Sequence, residues 1–119
     1  MNNPATLLIV QNLQQSKTFY LDILGLELIS ETDSCLRLLA GNHSVLVFQG
    51  TLPASQYEHS YNASSTLVFS VSSLDEKIDE LKNHNVEFIH QTPNANEWGR
   101  YAAFKDPSGI VHEIFEPYS

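Results

Sequence analysis

Trp98-Gly99-Arg100-Tyr101-Ala102-Ala103-Phe104-Lys105-Asp106-Pro107-Ser108-Gly109-Ile110-Val111-His112-Glu113 reads as a strand, a tight turn and a returning strand. In Asp106-Pro107-Ser108-Gly109 the Asp stands first, the Pro second and the Gly fourth. That is type I turn chemistry, with Pro presetting φ and Gly accepting the exit geometry. Side chains alternate between the faces of a strand, so Val111, Glu113 and Phe115 share one of them. A carboxylate therefore sits between two apolar neighbours. It either reaches water at a sheet edge or points into a cavity.

Working outward, the same succession of elements occurs twice. Residues 6–10 (Thr-Leu-Leu-Ile-Val) form an apolar run of strand length. Asn12 offers a helix N-cap with Gln15 as its capping-box partner, Phe19, Tyr20, Ile23 and Leu24 follow helical spacing, and Gly25 is a stop. Strands are expected at 26–31, 35–40 and 44–49, the last two joined by the hairpin signal Gly41-Asn42. In the second half, residues 66–71 read as a strand. Ser73 caps a helix with Glu76, and Leu74, Ile78 and Leu81 form its buried stripe. Asn83-His84-Asn85 ends that helix, and strands are expected at 86–91, 100–105 and 110–116. Val10 matches Val71 and Leu13 matches Leu74 at a separation of 61 residues.

A β-α-β-β-β unit used twice predicts an α+β fold, two paired modules forming a curved mixed sheet around a cleft. One domain is expected over 1–119, with modules at 1–50 and 65–119. The connector 51–64 carries Pro53, Tyr57, His59 and Tyr61 among small polar residues. It is either a surface linker or a flap over the cleft.

The length of 119 residues suits one domain with a real core, and 42% hydrophobic with 17% charged residues is ordinary globular composition. Fourteen acidic against six basic residues give a net charge of −8. A nucleic-acid surface needs the opposite sign, so that class is excluded. The acidity serves solubility or attracts a cationic ligand. The single cysteine, Cys35, excludes an intrachain disulfide framework and fits a reducing compartment. The longest early apolar run, Leu7 to Val10, is too short for a secretory leader or a membrane span, so a cytoplasmic protein with no membrane partner is expected.

The paired units, together with Val10-x-Asn12-Leu13-x-x-Ser16-x-x-Phe19-Tyr20, Leu24-Gly25-Leu26 and Trp98-Gly99…Phe104-Lys105-Asp106-Pro107-x-Gly109…Glu113, resemble the vicinal oxygen chelate superfamily. This group includes glyoxalase I, bleomycin-resistance proteins, fosfomycin-resistance enzymes and extradiol dioxygenases. The resemblance implies a homodimer. It also implies, for the metallo-enzymes, one divalent ion held by side chains from four strands. Those positions fall here on Ala5, Val47, Thr66 and Glu113. Only Glu113 binds a metal strongly, so no metal and no cofactor are expected. The histidines His43, His59, His84, His90 and His112 show no paired spacing and are expected at the surface.

Extending these positions by strand alternation gives a cleft-facing set: Ala5, Leu7 and Ile9; Val45, Val47 and Gln49; Thr66, Val68 and Ser70; Val111, Glu113 and Phe115. The resemblance adds Tyr101 and Ala103, and puts Trp98 at the rim. The expected ligand contacts are Val47, Gln49, Thr66, Val68, Ser70, Trp98, Tyr101, Val111 and Glu113, an apolar surface with a few polar groups. Lys105 or a ligand ammonium could pair with Glu113. Two functions follow. The first is a non-catalytic homodimer that binds or sequesters a hydrophobic drug or metabolite, cationic in the sharper form, close in pattern to metal-free bleomycin-resistance proteins. The alternative is a lyase, isomerase or dioxygenase-type enzyme with a remodelled or metal-free site, in which Glu113 and Tyr101 act as acid and base. An interaction module whose cleft is filled by side chains is the third possibility.

Overall fold

The computed structural model describes residues 1–55 and 64–119; Tyr57, His59 and Tyr61 of the connector lie outside the described residues. The chain forms two compact units, Met1–Ala54 and Ser55–Ser119. The first contains β1 (Ala5–Val10), α1 (Leu13–Thr18), β2 (Glu27–Glu31), β3 (Cys35–Ala40) and β4 (His43–Gln49). The second contains β5 (Val68–Ser70), α2 (Leu74–Asn83), β6 (Asn94–Ala95), β7 (Gly99–Lys105) and β8 (Val111–Pro117). The sheet orders are β1-β4-β3-β2 and β5-β8-β7-β6. In each, the first and last strands of the module pair in parallel and the others are antiparallel. The fold is α+β, and the β-α-β-β-β repeat read from the sequence is present in both modules.

Local chemistry sets the helix limits where the sequence placed them. Asn12 and Ser73 are extended, and their side chains accept hydrogen bonds from Gln15 N at 2.9 Å and Glu76 N at 3.3 Å. These bonds satisfy amides that have no partner within the helix. After α1 the chain continues as a π turn over Phe19–Ile23 and leaves it through Gly25 at φ 77°, the left-handed region open to glycine. Asn85, at φ 62°, ends α2 in the same way. Asp106 makes the expected turn, its Oδ1 accepting from Ser108 N at 2.9 Å and Ile110 N at 2.8 Å.

Each helix covers one face of its own sheet. In the first module Leu8, Val10, Leu36, Leu38, Val45 and Val47 are buried on the face that carries α1, with Ser16, Phe19 and Tyr20 above them. In the second, Ala102, Phe104, His112 and Ile114 lie with Leu74 and Leu81 of α2. A fully buried Leu or Val contributes roughly 1.5–3 kcal/mol relative to its exposed state.

Two departures from expectation lie in the second module. The strand expected over 86–91 is reduced to a single bridge between Phe88 and Phe104, with Ile89 N donating to Ala103 O at 2.8 Å. The chain then bends away ahead of Pro93, which has no N–H to give a ladder, and rejoins the sheet as the short β6. The second departure is His112, expected at the surface. It is 1% exposed, with Phe69 and Phe104 ring centroids at 6.0 and 5.8 Å. Its parity on β8 is opposite to that of Glu113, so the alternation that presents the carboxylate on one face buries the imidazole on the other.

Burial holds the His112 pKa down at about 4, with the Asp106 charge acting weakly the other way. The unfolded chain, with an ordinary imidazole near 6.5, takes up this proton first. Stability is therefore fully present above pH 6.5 and falls as pH drops toward 4, by on the order of 3 kcal/mol from this residue. Denaturant unfolding between pH 7.5 and 4.5 is expected to show this slope. His112→Gln, which removes the titration, should flatten it.

Candidate functional site

The face of the second sheet turned away from α2 carries the carboxylate picked out in the sequence. Register places Val68 on β5 opposite Glu113 on β8, and Glu113 opposite Ala103 on β7. The next row is Ser70, Phe115, Tyr101 and Asn94. Tyr101 and Glu113 are thus diagonal neighbours on adjacent strands, within reach of long side chains. Glu113, Tyr101, Phe115 and Thr66 are half-buried, Ala103 and Val111 are buried, and Val68 remains 48% exposed. Glu113 N donates to Leu67 O at 3.0 Å, which fixes the carboxylate's strand against β5. Lys105 Nζ lies 3.3 Å from Glu87, and Arg100 reaches Asp75 on α2 at 3.2 Å.

Trp98 precedes β7 and is 71% exposed. Its base is rigid: Asn96 Oδ1 accepts from Trp98 N at 2.9 Å and Gly99 N at 3.1 Å, and Trp98 O accepts from Tyr118 N at 2.9 Å. Gly99 has no room for a side chain, since an added Cβ would overlap Glu116 O and stand 2.8 Å from Pro117 Cα. In the Trp98-Gly99 pair the glycine is a packing requirement and the indole is the accessible group.

The open face of the first sheet corrects the predicted set. Parallel pairing of β1 and β4 puts Ala5 opposite Ser44, Leu7 opposite Leu46 and Ile9 opposite Phe48. Leu7, Ile9 and Phe48 are 59%, 55% and 40% exposed, and they share this face with Leu46. Val47, expected as a ligand contact, is opposite Leu8 and Leu36 and fully buried on the face that carries α1, as is Val45. The expectation matched odd residues of β1 to odd residues of β4, whereas the pairing matches odd to even. The repeat held the signal. Leu7 corresponds to Val68, Val68 faces Glu113, and so the first-module equivalent of Glu113 is Leu46.

Carried onto this register, the four ligand positions that the resemblance implies fall on Ala5 and Leu46 in the first module, and on Thr66 and Glu113 in the second. One carboxylate and one hydroxyl fall short of the three or four donors of a divalent transition-metal site, so these residues do not fit such an ion. Among the described residues no group of three or more His, Cys, Asp or Glu side chains comes together. His43 Nε2 lies 2.8 Å from Thr6 Oγ1, and His112 is on the far face.

Comparison with known proteins agrees with this architecture. A model of the Glyoxalase/Bleomycin resistance protein/Dioxygenase superfamily matches residues 4–114. The uncharacterized protein YaeR of Escherichia coli (strain K12) is 33% identical over 111 residues, covering 85% of this chain and 84% of that protein. Among solved structures, the antibiotic binding protein TnmS3 from Streptomyces sp. CB03234 superposes with a TM-score of 0.70 at 20% identity, covering 98% of each chain. The genomically encoded fosfomycin resistance protein FosX from Listeria monocytogenes gives 0.77 at 22% identity, covering 99% of this chain and 94% of that one.

Gln49, the other ligand contact expected on β4, ties the strand to the helix instead. Its Oε1 accepts from Leu13 N, the first amide of α1, at 2.8 Å; its Nε2 donates to Gly50 O at 2.7 Å and also to Gln11 O. Glu116 does the same in the second module, where its Oε1 accepts from Leu74 N at 2.7 Å. Gln49→Ala is expected to lower unfolding stability by about 1 kcal/mol through loss of these bonds, measured by chemical denaturation. A loss of that size with ligand binding unchanged would separate this clamp from the binding face.

Proposed function

Because the chain belongs to the Glyoxalase/Bleomycin resistance protein/Dioxygenase superfamily, we propose that it is a homodimeric, non-catalytic binder of an amphipathic small molecule, with a cationic group as the preferred polar end. The observation that carries this reading is the chemistry of the open face around Glu113: one carboxylate among Val68, Val111, Phe115 and Ala103, at a position where a catalytic metal would need further donors. Thr66, Ser70 and Tyr101 supply hydroxyls, Val68 and Val111 apolar contact, and Trp98 an exposed ring. A carboxylate in such surroundings attracts an ammonium more strongly than one in open water. An indole adds stacking or cation–π attraction. The similarity in fold to an antibiotic binding protein supports the same class.

A second reading uses the diagonal placement of Tyr101 and Glu113. A phenol and a carboxylate on one face suit proton transfer without a metal, as in a lyase or isomerase. Turnover of an α-hydroxy or α-keto substrate that is abolished by Glu113→Gln and by Tyr101→Phe would favour it over binding alone.

Trp98 is the sole tryptophan, so its fluorescence reports on one place. Titration with basic aromatic compounds, bleomycin among them, is expected to quench or shift the emission. Glu113→Gln should weaken cationic ligands by roughly 1–3 kcal/mol and leave neutral ones nearly unchanged. Equal losses for both would mean that Glu113 acts through structure.

The dimer rests on the exposed apolar side chains of the first module, Leu7, Ile9, Ile29 and Phe48, which a second copy would remove from water. Sedimentation at micromolar concentration is expected to give twice the mass of the chain; a monomer would remove this part of the proposal. A reducing cytoplasm suits the one free thiol, Cys35. Among the described residues no helix is long and apolar enough to cross a membrane.

A further inference from the structure

Five of the six basic side chains have a partner inside the chain. Lys17, Lys77, Arg100 and Lys105 lie 2.9–3.3 Å from the carboxylates of Glu31, Glu80, Asp75 and Glu87, and Lys82 stands 5.8 Å over the Phe88 ring. Arg37 has neither a carboxylate nor a ring partner among the described residues, in a chain with fourteen acidic residues. It is exposed on β3, opposite Leu46 of β4 and Ser30 of β2, on the face turned away from α1. Glu27 of β2 is opposite Leu39, two residues farther along β3, and so shares that face. A register shift between Leu28 and Ser30 leaves Ile29 as a bulge, which keeps Glu27 and Ser30 on one face although they stand three apart. The same shift sends Glu31 to the α1 face, where Lys17 holds it at 2.9 Å. One acid of β2 is thus matched from within the module. The other, Glu27, is exposed and makes no ion pair among the described residues. Arg37 and Glu27 belong to the first unit and share its open face with the exposed Leu7, Ile9 and Phe48.

Resting on the dimer reading above, we propose that this face is keyed to the same face of a second copy by a reciprocal ion pair, Arg37 of each chain meeting Glu27 of the partner subunit. A two-fold interface repeats every contact, so a patch that carries a positive and a negative group at offset positions is complementary to itself. Two such pairs form in one dimer, beside the apolar side chains that the same contact removes from water. A guanidinium suits the place, since it is more weakly hydrated than an ammonium and meets a carboxylate through two parallel hydrogen bonds. The pair also supplies what apolar contact lacks. Leu7, Ile9 and Phe48 attract without direction, whereas opposite charges at fixed positions select one orientation and penalise the others. At a net charge of −8 two copies repel at a distance, and Arg37 is the cation left over to oppose that repulsion at contact.

The experiment is sedimentation of the full chain at micromolar concentration, with Arg37→Glu, Glu27→Arg and the double variant beside wild type. Each single variant sets like charges against each other at both contacts and should weaken the dimer about tenfold or more. General repulsion predicts a different pattern. Glu27→Arg brings the net charge from −8 to −6 and would then associate better, while Arg37→Glu takes it to −10 and would associate worse. The double variant exchanges the two signs and should recover to within about threefold of wild type. An equimolar mixture of the two single variants should dimerise as well, because in the mixed dimer one contact is the original pair and the other its reversal. A residue that acts only within its own chain is not rescued by mixing. Circular dichroism and thermal unfolding check the fold of each variant. Wild type sedimenting as a monomer overturns the dimer reading and the inference together. A wild-type dimer that the single variants leave unchanged, or move in opposite directions, overturns the pair and leaves the dimer reading standing. Losses in both single variants that neither the mixture nor the double variant restores overturn it too.

Discussion

One helix can cover only one face of a four-stranded sheet. From that limit the rest of this molecule follows. α1 and α2 each bury the alternate residues beneath them, Leu8, Val10, Leu36, Leu38 and Val47 in one module and Ala102, Phe104, His112 and Ile114 in the other. The intervening residues are left to a different fate. In a protein whose sheets ended at water these would be polar. Here Leu7, Ile9, Phe48 and Val68 stand at 40–59% exposure on the uncovered faces. Apolar side chains left in water on a sheet face are what the binding and dimer readings proposed above rest on.

Much of this was legible in the sequence because the decisive features are local. Caps at Asn12 and Ser73, stops at Gly25 and Asn85, and the Asp106 turn each depend on residues within four or five positions, and all are found as expected. The internal repeat extended that reading to the succession of elements in both modules. What failed was what local sequence does not fix. Alternation tells which residues of one strand share a face, but the match between faces of two parallel strands depends on register, and a slip of one residue exchanges the faces. Val47 was lost to the core in this way, and Leu46 was missed. His112 was misjudged for a related reason: a polar residue name suggested the surface, whereas parity with Ile114 dictated burial. Gln49 looked like a polar group in a pocket because a side-chain bond to a helix amide 36 positions earlier in the chain leaves no local trace.

Comparing equivalent positions shows where the modules have parted. Leu46 in one corresponds to Glu113 in the other, Ile9 to Ser70 and Ala5 to Thr66, while Phe48 and Phe115 keep their aromatic character. The first module's open face is apolar at Leu7, Ile9, Leu46 and Phe48, with Arg37 of β3 beside Leu46 and Ser44 beside Ala5, whereas the second carries hydroxyls and an acid. The same backbone path thus presents two chemically different surfaces. The difference lies in side chains that the core does not constrain, which is where a binding preference can change without cost to folding.

The paired clamps at the helix starts carry the divergence into the scaffold. Gln49 holds the first amide of α1 with a neutral oxygen, and no acid stands in that helix's first turn. Glu116 holds α2 with a charged one, joined by Asp75 and Glu76. Negative charge at a helix N-terminus interacts favourably with its dipole, and dissolved ions weaken that attraction. Two modules with one topology therefore answer differently to ionic strength. Concentrated salt would thus weaken an attraction that the start of α2 has and the start of α1 lacks, on the module that carries Glu113.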